Sequence, residues 1–285
     1  MRRVHRFTAL LLAVGAASAC RPDEVIKTED IPTAGVRFIN AVPDSAGAFG
    51  LDFRWVDIVE NNVQYRITFR NAPATSGGVT ASSQVVFRPA RAGSRHFKIF
   101  LDDTLQTVAA TVLKDSTVTL EAGKNYTAIL WGEGRLATMK LTFFEDVPAD
   151  PGTNVALRVI NTTGAAIDGR YYAQGGTAPA SATWASVPAY TASSFVTTAP
   201  GNYMFNVRAA GSATNLFNDM LALPGAAKTT DGGSNSLEGT PGTTQAGSAV
   251  TLLVFPPSTA GARTPQAAAF QVPAGAFIWD RRPPR

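Results

Sequence analysis

The sequence predicts an all-β protein with two tandem domains behind an export signal. Short segments alternate between apolar and polar residues, turn residues separate them, and similar segments recur in the same order in both halves. Only 16% of the residues are charged, well below the usual quarter of a globular protein. Low charge with abundant Gly and Pro is typical of extracellular β-structure and disfavours a helical cytosolic enzyme.

Residues 1–19 have the layout of a signal peptide. A basic cluster, Arg2, Arg3 and Arg6, precedes an apolar run from Phe7 to Val14 and then a stretch of small residues. The apolar core is about a dozen residues long, too short to cross roughly 30 Å of hydrocarbon as a helix. We therefore expect residues 1–19 to be removed on export.

Cys20 is the predicted lipidation site. The segment Ala17-Ser18-Ala19-Cys20 resembles the lipobox of bacterial lipoproteins, although an ordinary signal peptide also ends in small residues. Cys20 is the only cysteine of the chain, so it has no partner for an intramolecular disulfide. Its acyl chains would hold the protein to a membrane. Arg21 stands where an inner-membrane lipoprotein of enteric bacteria carries Asp, which favours the outer membrane.

The net charge gives no support for a nucleic-acid partner. The full chain has 25 basic and 21 acidic residues, a net charge of +4, and the signal peptide holds three of the arginines and no acid. The mature chain therefore carries a net charge near +1. No stripe of basic residues with interleaved aromatics is present in the sequence, so we expect no binding to nucleic acid.

The strand patterns begin after a polar tether at 20–34. Phe97, Ile99 and Leu101 alternate with polar or exposed positions, as expected of a half-buried strand. The run 126–131 is apolar on both faces, which predicts a central strand in which Trp131 packs in a core. The predicted organisation is a first domain at 35–147, a second domain at 154–280 with a mobile insertion at 225–247, and a solvated tail at 281–285.

The two predicted domains share a sequence repeat. Three pairs of segments correspond in order, namely 36–40 with 157–161, 91–99 with 199–207, and 120–129 with 244–253. One such match would be chance, but three in the same order predict a duplicated domain.

These segments carry a resemblance to a known family. Residues 36–44, 89–97 and 120–127 resemble the domain of unknown function 4397, whose members are exported bacterial proteins and often lipoproteins. The resemblance implies that both domains are immunoglobulin-like antiparallel β-sandwiches. It covers 36–146 well and 155–280 less well, and it implies no catalytic or ligand residue.

Residues able to carry chemistry are sparse in the mature chain. His96 is its one histidine and alternates with Phe97, so it is expected on the outer face of its strand. The adjacent carboxylates Asp102-Asp103 and Glu145-Asp146 could serve a hydrolase, but neighbours in a strand or turn point to opposite sides. A calcium site from Asp146, Asp150 and Asn154 matches no known calcium loop. We expect no metal, no cofactor and no catalytic residue.

The aromatic residues offer one candidate binding surface. Trp184, Tyr171 and Tyr172 stand among polar residues and are candidates for an exposed platform that stacks on a glycan. Aromatics in strands belong more often to the core. The resulting hypothesis is a non-enzymatic envelope lipoprotein that binds an envelope protein or a glycan; the alternatives are a carboxylate hydrolase of the envelope and a purely architectural spacer.

Overall fold

The structure is a computed structural model that describes residues 31–44, 50–57, 68–71, 87–146, 148–230, 236–262, 264 and 266–282. The predicted signal peptide, Cys20 and most of the tether lie outside these residues. Thr33–Arg285 forms one compact unit, and of the residues before it only Ile31 and Pro32 are described. In the described residues, no helix combines the length and the apolar content that crossing a membrane requires.

The first half of the larger unit contains two four-stranded sheets. Its strands are β1 (Thr33–Asn40), β2 (Leu51–Trp55), β3 (Thr68–Asn71), β4 (Arg88–Arg91), β5 (Gly93–Leu101), β6 (Val112–Leu120), β7 (Asn125–Trp131) and β8 (Lys140–Glu145), with a short helix α1 (Gln106–Ala109) between β5 and β6. We call the sheet with the order β4-β1-β7-β8 the inner sheet of this half, and the sheet with the order β3-β2-β5-β6 its outer sheet.

The second half repeats this arrangement. Its strands are β9 (Val155–Asn161), β10 (Ile167–Ala173), β11 (Trp184–Val187), β12 (Thr191–Ala192), β13 (Val196–Thr198), β14 (Tyr203–Ala209), β15 (Met220–Leu221), β16 (Thr229–Thr230), β17 (Ser236–Leu237), β18 (Ala249–Phe255) and β19 (Ala274–Arg281), with a 3-10 helix at Ala268–Phe270. The inner sheet has the order β12-β9-β18-β19 with β13 also on β9, and the outer sheet has the order β11-β10-β14-β15.

The all-β sandwich class predicted from the sequence is confirmed, with one difference in strand direction. Each inner sheet contains one parallel pair, β1 with β7 and β9 with β18, among otherwise antiparallel pairs. The two members of a parallel pair are far apart in sequence, because the chain passes through the outer sheet between them. The repeated segments occupy corresponding strands, since the three sequence pairs fall on β1 and β9, β5 and β14, and β7 and β18.

The inner strands are apolar on both faces because both faces are buried. In β1, Val36 and Phe38 point into the first core, which lies between the two sheets of the first half. The alternate residue Ile39 points the other way, into a third apolar cluster shared with the second half. The strand β7 behaves in the same manner, as the apolar run at 126–131 predicts. Because successive side chains of a strand point to opposite faces, alternate residues of one inner strand enter two different apolar cores.

Hydrogen bonds join the two ends of the predicted mobile insertion to each other. Ala226 and Thr240 exchange backbone hydrogen bonds of 3.1 and 2.9 Å, and β16 pairs with β17 above them. A Cβ atom on Gly242 would lie 2.2 Å from the backbone nitrogen of Gly225, so this approach requires glycine. Residues 231–235 lie outside the described part. At the predicted tail, Arg281 still belongs to β19.

Candidate functional site

The predicted aromatic platform is wrong for Trp184. Its ring is only 4% exposed and stacks on Phe205 in the second core, with 5.8 Å between the ring centroids. Tyr171 is half-buried and packs against the same core. Tyr172 points to the opposite face of β10, where its hydroxyl donates to Asp219 and this hydrogen bond raises the pKa of Tyr172. The three side chains therefore form no common surface.

Trp184 is buried because it fills a space that a glycine leaves open. The sequence Leu51-Asp-Phe-Arg-Trp55 on β2 corresponds to Ile167-Asp-Gly-Arg-Tyr171 on β10, so Gly169 stands where the first half has Phe53. A Cβ atom on Gly169 would lie 3.0 Å from the Trp184 ring. In the first half Phe53 stacks on Phe97 at 4.8 Å between ring centroids, the role that Trp184 takes in the second.

The titratable side chains considered for a catalytic or metal site lie apart from one another. His96 is exposed and pairs with Asp115 on the neighbouring strand, as expected for an outward-facing residue. Asp103 accepts a hydrogen bond of 2.9 Å from the backbone N–H of Leu105, which is turn chemistry. Among the described residues, no three His, Cys, Asp or Glu side chains converge in a way that could hold a metal.

The second pair of adjacent carboxylates is divided between surface and interior. Glu145 is exposed and pairs with Lys124 at 2.9 Å. Asp146 is buried and faces two arginines of different strands, Arg37 and Arg158. Asp150, the second residue of the calcium hypothesis, pairs instead with Arg281 at 2.6 Å. The structure thus gives Asp146 arginine partners and engages Asp150 with a different arginine.

Four buried charges join the two halves of the larger unit. We call Arg37, Asp146, Arg158 and Asp280 the clasp, and their side chains are at most 6% exposed. Arg37 of the first half donates to Asp280 of the second half. Reciprocally, Arg158 of the second half donates to Asp146 of the first at 2.7 Å. Each half therefore supplies one cation and one anion, and each charge is met by the other half.

Two threonines complete the clasp. Thr127 on β7 accepts from Arg37 Nε at 2.7 Å, and Thr251 on β18 accepts from Arg158 Nε at 2.8 Å. Each threonine hydroxyl donates in turn to the aspartate of its own half. All four carboxylate oxygens consequently accept hydrogen bonds, as buried charges require. The arrangement has an approximate two-fold symmetry that relates the two halves.

The electrostatics of the clasp favour the charged form of Arg158. Burial opposes the charge of Arg158, but Asp280 and Asp146 outweigh it and raise the pKa of Arg158. Aromatic rings cover both guanidinium groups. Arg37 lies 4.4 Å from the ring centroid of Phe87, and Arg158 lies 4.5 Å from that of Phe195. The clasp is a closed, internally neutral unit, which suits joining two halves better than acting on a substrate.

An apolar seam continues the contact between the halves beyond the clasp. It consists of Ile39, Ala41, Ile129 and Trp131 from the first half and Ile160, Leu253, Phe255 and Ile278 from the second. The Trp131 ring contacts Phe144 and Tyr190, each with 5.5 Å between ring centroids. The seam and the clasp together place four sheets against one another in the order outer, inner, inner, outer.

The strand directions define two ends of the larger unit. β1 and β7 begin at one end, here called the base, because they are parallel, and so do β9 and β18. The two pairs share this end, since Arg37 and Arg158 meet in the clasp and Ile39 and Ile160, further along β1 and β9, both lie in the seam. Thr33 accepts a hydrogen bond from Gly123 at the base, and Arg281 lies opposite Ala249 there. The opposite end, the tip, carries the segments that follow these four strands. The chain therefore enters and leaves this unit at the base.

Segments of both halves meet at the tip. Thr259 N–H and the Thr264 hydroxyl both donate to the carbonyl of Pro43, at 3.0 and 2.8 Å. Leu136 follows Arg135, whose guanidinium donates to the carbonyl of Ala260 at 3.4 Å; Leu136 is 65% exposed, and Ala137 follows it with φ of 53°. A non-glycine residue in this left-handed region is uncommon and strained. The tip therefore combines an exposed apolar side chain with a fixed, strained turn.

Asp44 organises the tip from inside. Its carboxylate is buried and accepts from the backbone N–H groups of Gly134 and Arg135, at 2.5 and 2.6 Å. We expect Asp44→Ala to lower the free energy of unfolding by about 1–3 kcal/mol, because two partly buried donors lose their acceptor. Urea denaturation measures this loss. Asp103→Ala, which removes an exposed turn acceptor, is the control, and an equal loss there would contradict the structural role of Asp44.

Comparison with known proteins identifies the family of the first half. The family model described as Domain of unknown function (DUF4397) matches residues 34–168. Residues 34–168 of this chain belong to that family. The DUF4397 match begins on β1 and continues past β8 through β9, so it includes Arg37, Asp146 and Arg158 and stops before Asp280.

The other comparisons add little to the DUF4397 match. No curated protein sequence matches this chain. Among solved structures, the Bacillus anthracis TIE protein matches at 9% sequence identity with a TM-score of 0.21. That match covers 79% of this chain and 34% of the other protein, so the chain spans about one third of that protein's length.

The clasp residues are recognisable in the sequence, although strand periodicity alone did not predict them. Arg37 and Arg158 are charged residues inside otherwise apolar strands, at corresponding positions of the two repeats. Thr127 and Thr251 likewise interrupt apolar runs. Asp280 lies at the end of β19, one residue before its last, and Asp146 directly follows β8. A charge repeated inside a buried strand predicts a buried partner, because an unpaired buried charge is too costly to keep.

Proposed function

We propose that this chain is a non-enzymatic cell-envelope lipoprotein that binds an envelope partner, a protein or a glycan, through the tip of its two-sandwich unit. The observation that carries the proposal is the clasp. Because it fixes the two halves together, the tip segments of both halves can form one binding surface, while the chain enters from the predicted anchor at the opposite end. Binding sites on rigid scaffolds commonly lie in such loops.

Three buried carboxylates, of the clasp and the tip, support a non-enzymatic role. Asp146 and Asp280 are engaged by arginines and threonines, and Asp44 is engaged by two backbone N–H groups. A hydrolase needs a carboxylate within reach of substrate and free to exchange a proton. These three carboxylates are instead buried and fully occupied by structural partners.

The anchor is tested by membrane fractionation and intact mass. We expect the wild-type protein to pellet with membranes and to be heavier by its acyl chains, because lipidation of Cys20 provides the membrane affinity. The Cys20→Ala protein should be soluble and lack the added mass. Equal solubility of the two proteins, with cleavage at the same bond, would overturn the lipoprotein assignment.

The tip is tested by photo-crosslinking in intact cells. A benzophenone side chain at position 136, at the tip, is expected to give a discrete crosslinked product. The matched control places the same group at Val112, which is 43% exposed on an edge strand of the first outer sheet. A product at 136 alone supports the binding role. No product at 136, or equal products at both positions, would contradict the binding role. Either result would favour a purely architectural spacer, a role for which the rigid clasp is also suited.

A further inference from the structure

A basic and aromatic surface lies where the two halves meet near the base. We call Phe87, Arg91, Trp279 and Arg282 the basal rim. The rings of Phe87 and Trp279 contact each other across the two halves, with 6.3 Å between centroids. The Arg282 guanidinium lies 4.8 Å from the Trp279 centroid. The rim therefore joins the edge strand β4 of the first half to the edge strand β19 of the second.

Strand direction places both arginines of the rim toward the base. β4 is antiparallel to β1 and brings Arg91 opposite Thr33, the residue at which the chain enters the unit. β19 is antiparallel to β18 and brings Arg281 opposite Ala249, and Arg282 follows. From the Phe87–Trp279 contact, the segments 87–91 and 279–282 both continue toward the base, where Arg91 and Arg282 are exposed.

The charge of the rim is not balanced by nearby carboxylates. The neighbouring basic residues of the base have acidic partners, since Lys124 pairs with Glu121 and Glu145 and Arg281 pairs with Asp150. In the part of the chain that the structure describes, no carboxylate forms an ion pair with Arg91 or Arg282. The rim therefore carries two exposed cations without an ion pair among the described residues, beside a partly exposed tryptophan, the composition that suits a membrane interface.

We infer that the basal rim binds the anionic headgroups of phospholipids and orients the protein on the membrane that holds it. The inference rests on the proposed lipid anchor at Cys20, thirteen residues before Thr33. Even fully extended, thirteen residues of chain span at most about 45 Å, so the base stays close to the bilayer. Tethering raises the local lipid concentration, and a small basic patch is then sufficient to hold the base against the surface.

Vesicle binding of the exported Cys20→Ala protein tests the rim without the anchor. The protein is expected to bind vesicles that contain phosphatidylglycerol, to bind phosphatidylcholine vesicles much more weakly, and to be released by salt. Arg91→Gln with Arg282→Gln should weaken binding to the anionic vesicles about 25-fold, roughly fivefold for each arginine. The control removes two exposed tip cations through Arg135→Gln with Lys140→Gln and should leave binding unchanged.

Tryptophan fluorescence gives a second readout that reports on the rim itself. Trp55, Trp131 and Trp184 are 7%, 1% and 4% exposed, so Trp279 is the tryptophan that a soluble quencher can reach. Anionic vesicles should protect the wild-type emission from acrylamide and shift it to shorter wavelength. Trp279→Phe should abolish this change.

The outcomes separate the rim from the anchor. Equal binding to both vesicle types, or an equal loss of vesicle binding in the rim and tip variants, would overturn the proposal that the rim binds headgroups. If Cys20→Ala fails to bind anionic vesicles while the lipidated protein still pellets with membranes, the rim is wrong and the anchor stands. If Cys20→Ala binds anionic vesicles and the wild type is not lipidated, the anchor is wrong, and the rim is then a free-standing headgroup site.

Discussion

Asp280→Asn is expected to lower the free energy of unfolding by about 3–5 kcal/mol, because it leaves two buried arginines facing one carboxylate. Arg37 loses the charge of its partner in the other half, and Arg158 keeps only Asp146. The carboxamide retains most of the shape of the carboxylate, so the loss reports the missing charge more than a cavity. Chemical denaturation followed by circular dichroism measures the change.

Two further variants show whether the loss belongs to the buried charge. Arg281→Gln removes the neighbouring surface pair with Asp150 and should cost less than about 1 kcal/mol. Replacing all four clasp residues with Met or Leu should recover most of the stability, because apolar residues of similar volume carry no buried charge. If Asp280→Asn costs no more than Arg281→Gln, the clasp does not join the halves.

Trp131→Ala is expected to cost about 3–5 kcal/mol, because it empties the largest fully buried side-chain volume and opens a cavity in the apolar seam. The seam consists of residues of both halves, so the loss weakens their contact as well as the core. Thermal unfolding monitored by calorimetry should show a lower midpoint. A broadened or divided transition would show that the halves have begun to unfold separately.

Trp131→Phe is the matched variant for this prediction. The indole N–H of Trp131 is buried and has no hydrogen-bond acceptor among the described residues, so phenylalanine removes an unsatisfied donor while it keeps an aromatic ring in the seam. We expect a loss of about 1 kcal/mol or less, since the smaller ring leaves some space but no polar group. A loss as large as that of Trp131→Ala would contradict this assignment and point to a hydrogen bond of the indole.

Strand periodicity was enough to predict the all-β class and the central position of the run 126–131. It failed at Trp184 for a local reason. Gly169 interrupts the apolar alternation of β10, and the ring that fills the resulting space comes from the next strand. Polar sequence neighbours therefore gave a wrong expectation, because exposure of an aromatic depends on which strand faces it.

The clasp was beyond what single strands could predict. Arg37 and Arg158 stand inside apolar strands and so indicate buried charges, but neither segment alone shows which carboxylate meets its arginine. Its burial depends on the packing of the other half, and the sequence repeat does not state how the halves are arranged. The parallel pairing of β1 with β7 was likewise hidden, since local turn chemistry predicts only hairpins between consecutive strands.

The separation of the clasp residues along the chain sets the order in which this protein can finish folding. Arg37 and Asp280 are 243 residues apart, and β1 finds its parallel partner only when residues 125–131 are available. Pairings between such distant segments are slow to form. The first strand of the unit therefore gains its full set of partners only when the last strand is present, and a chain that lost β19 would lack the carboxylate that Arg37 meets in the second half.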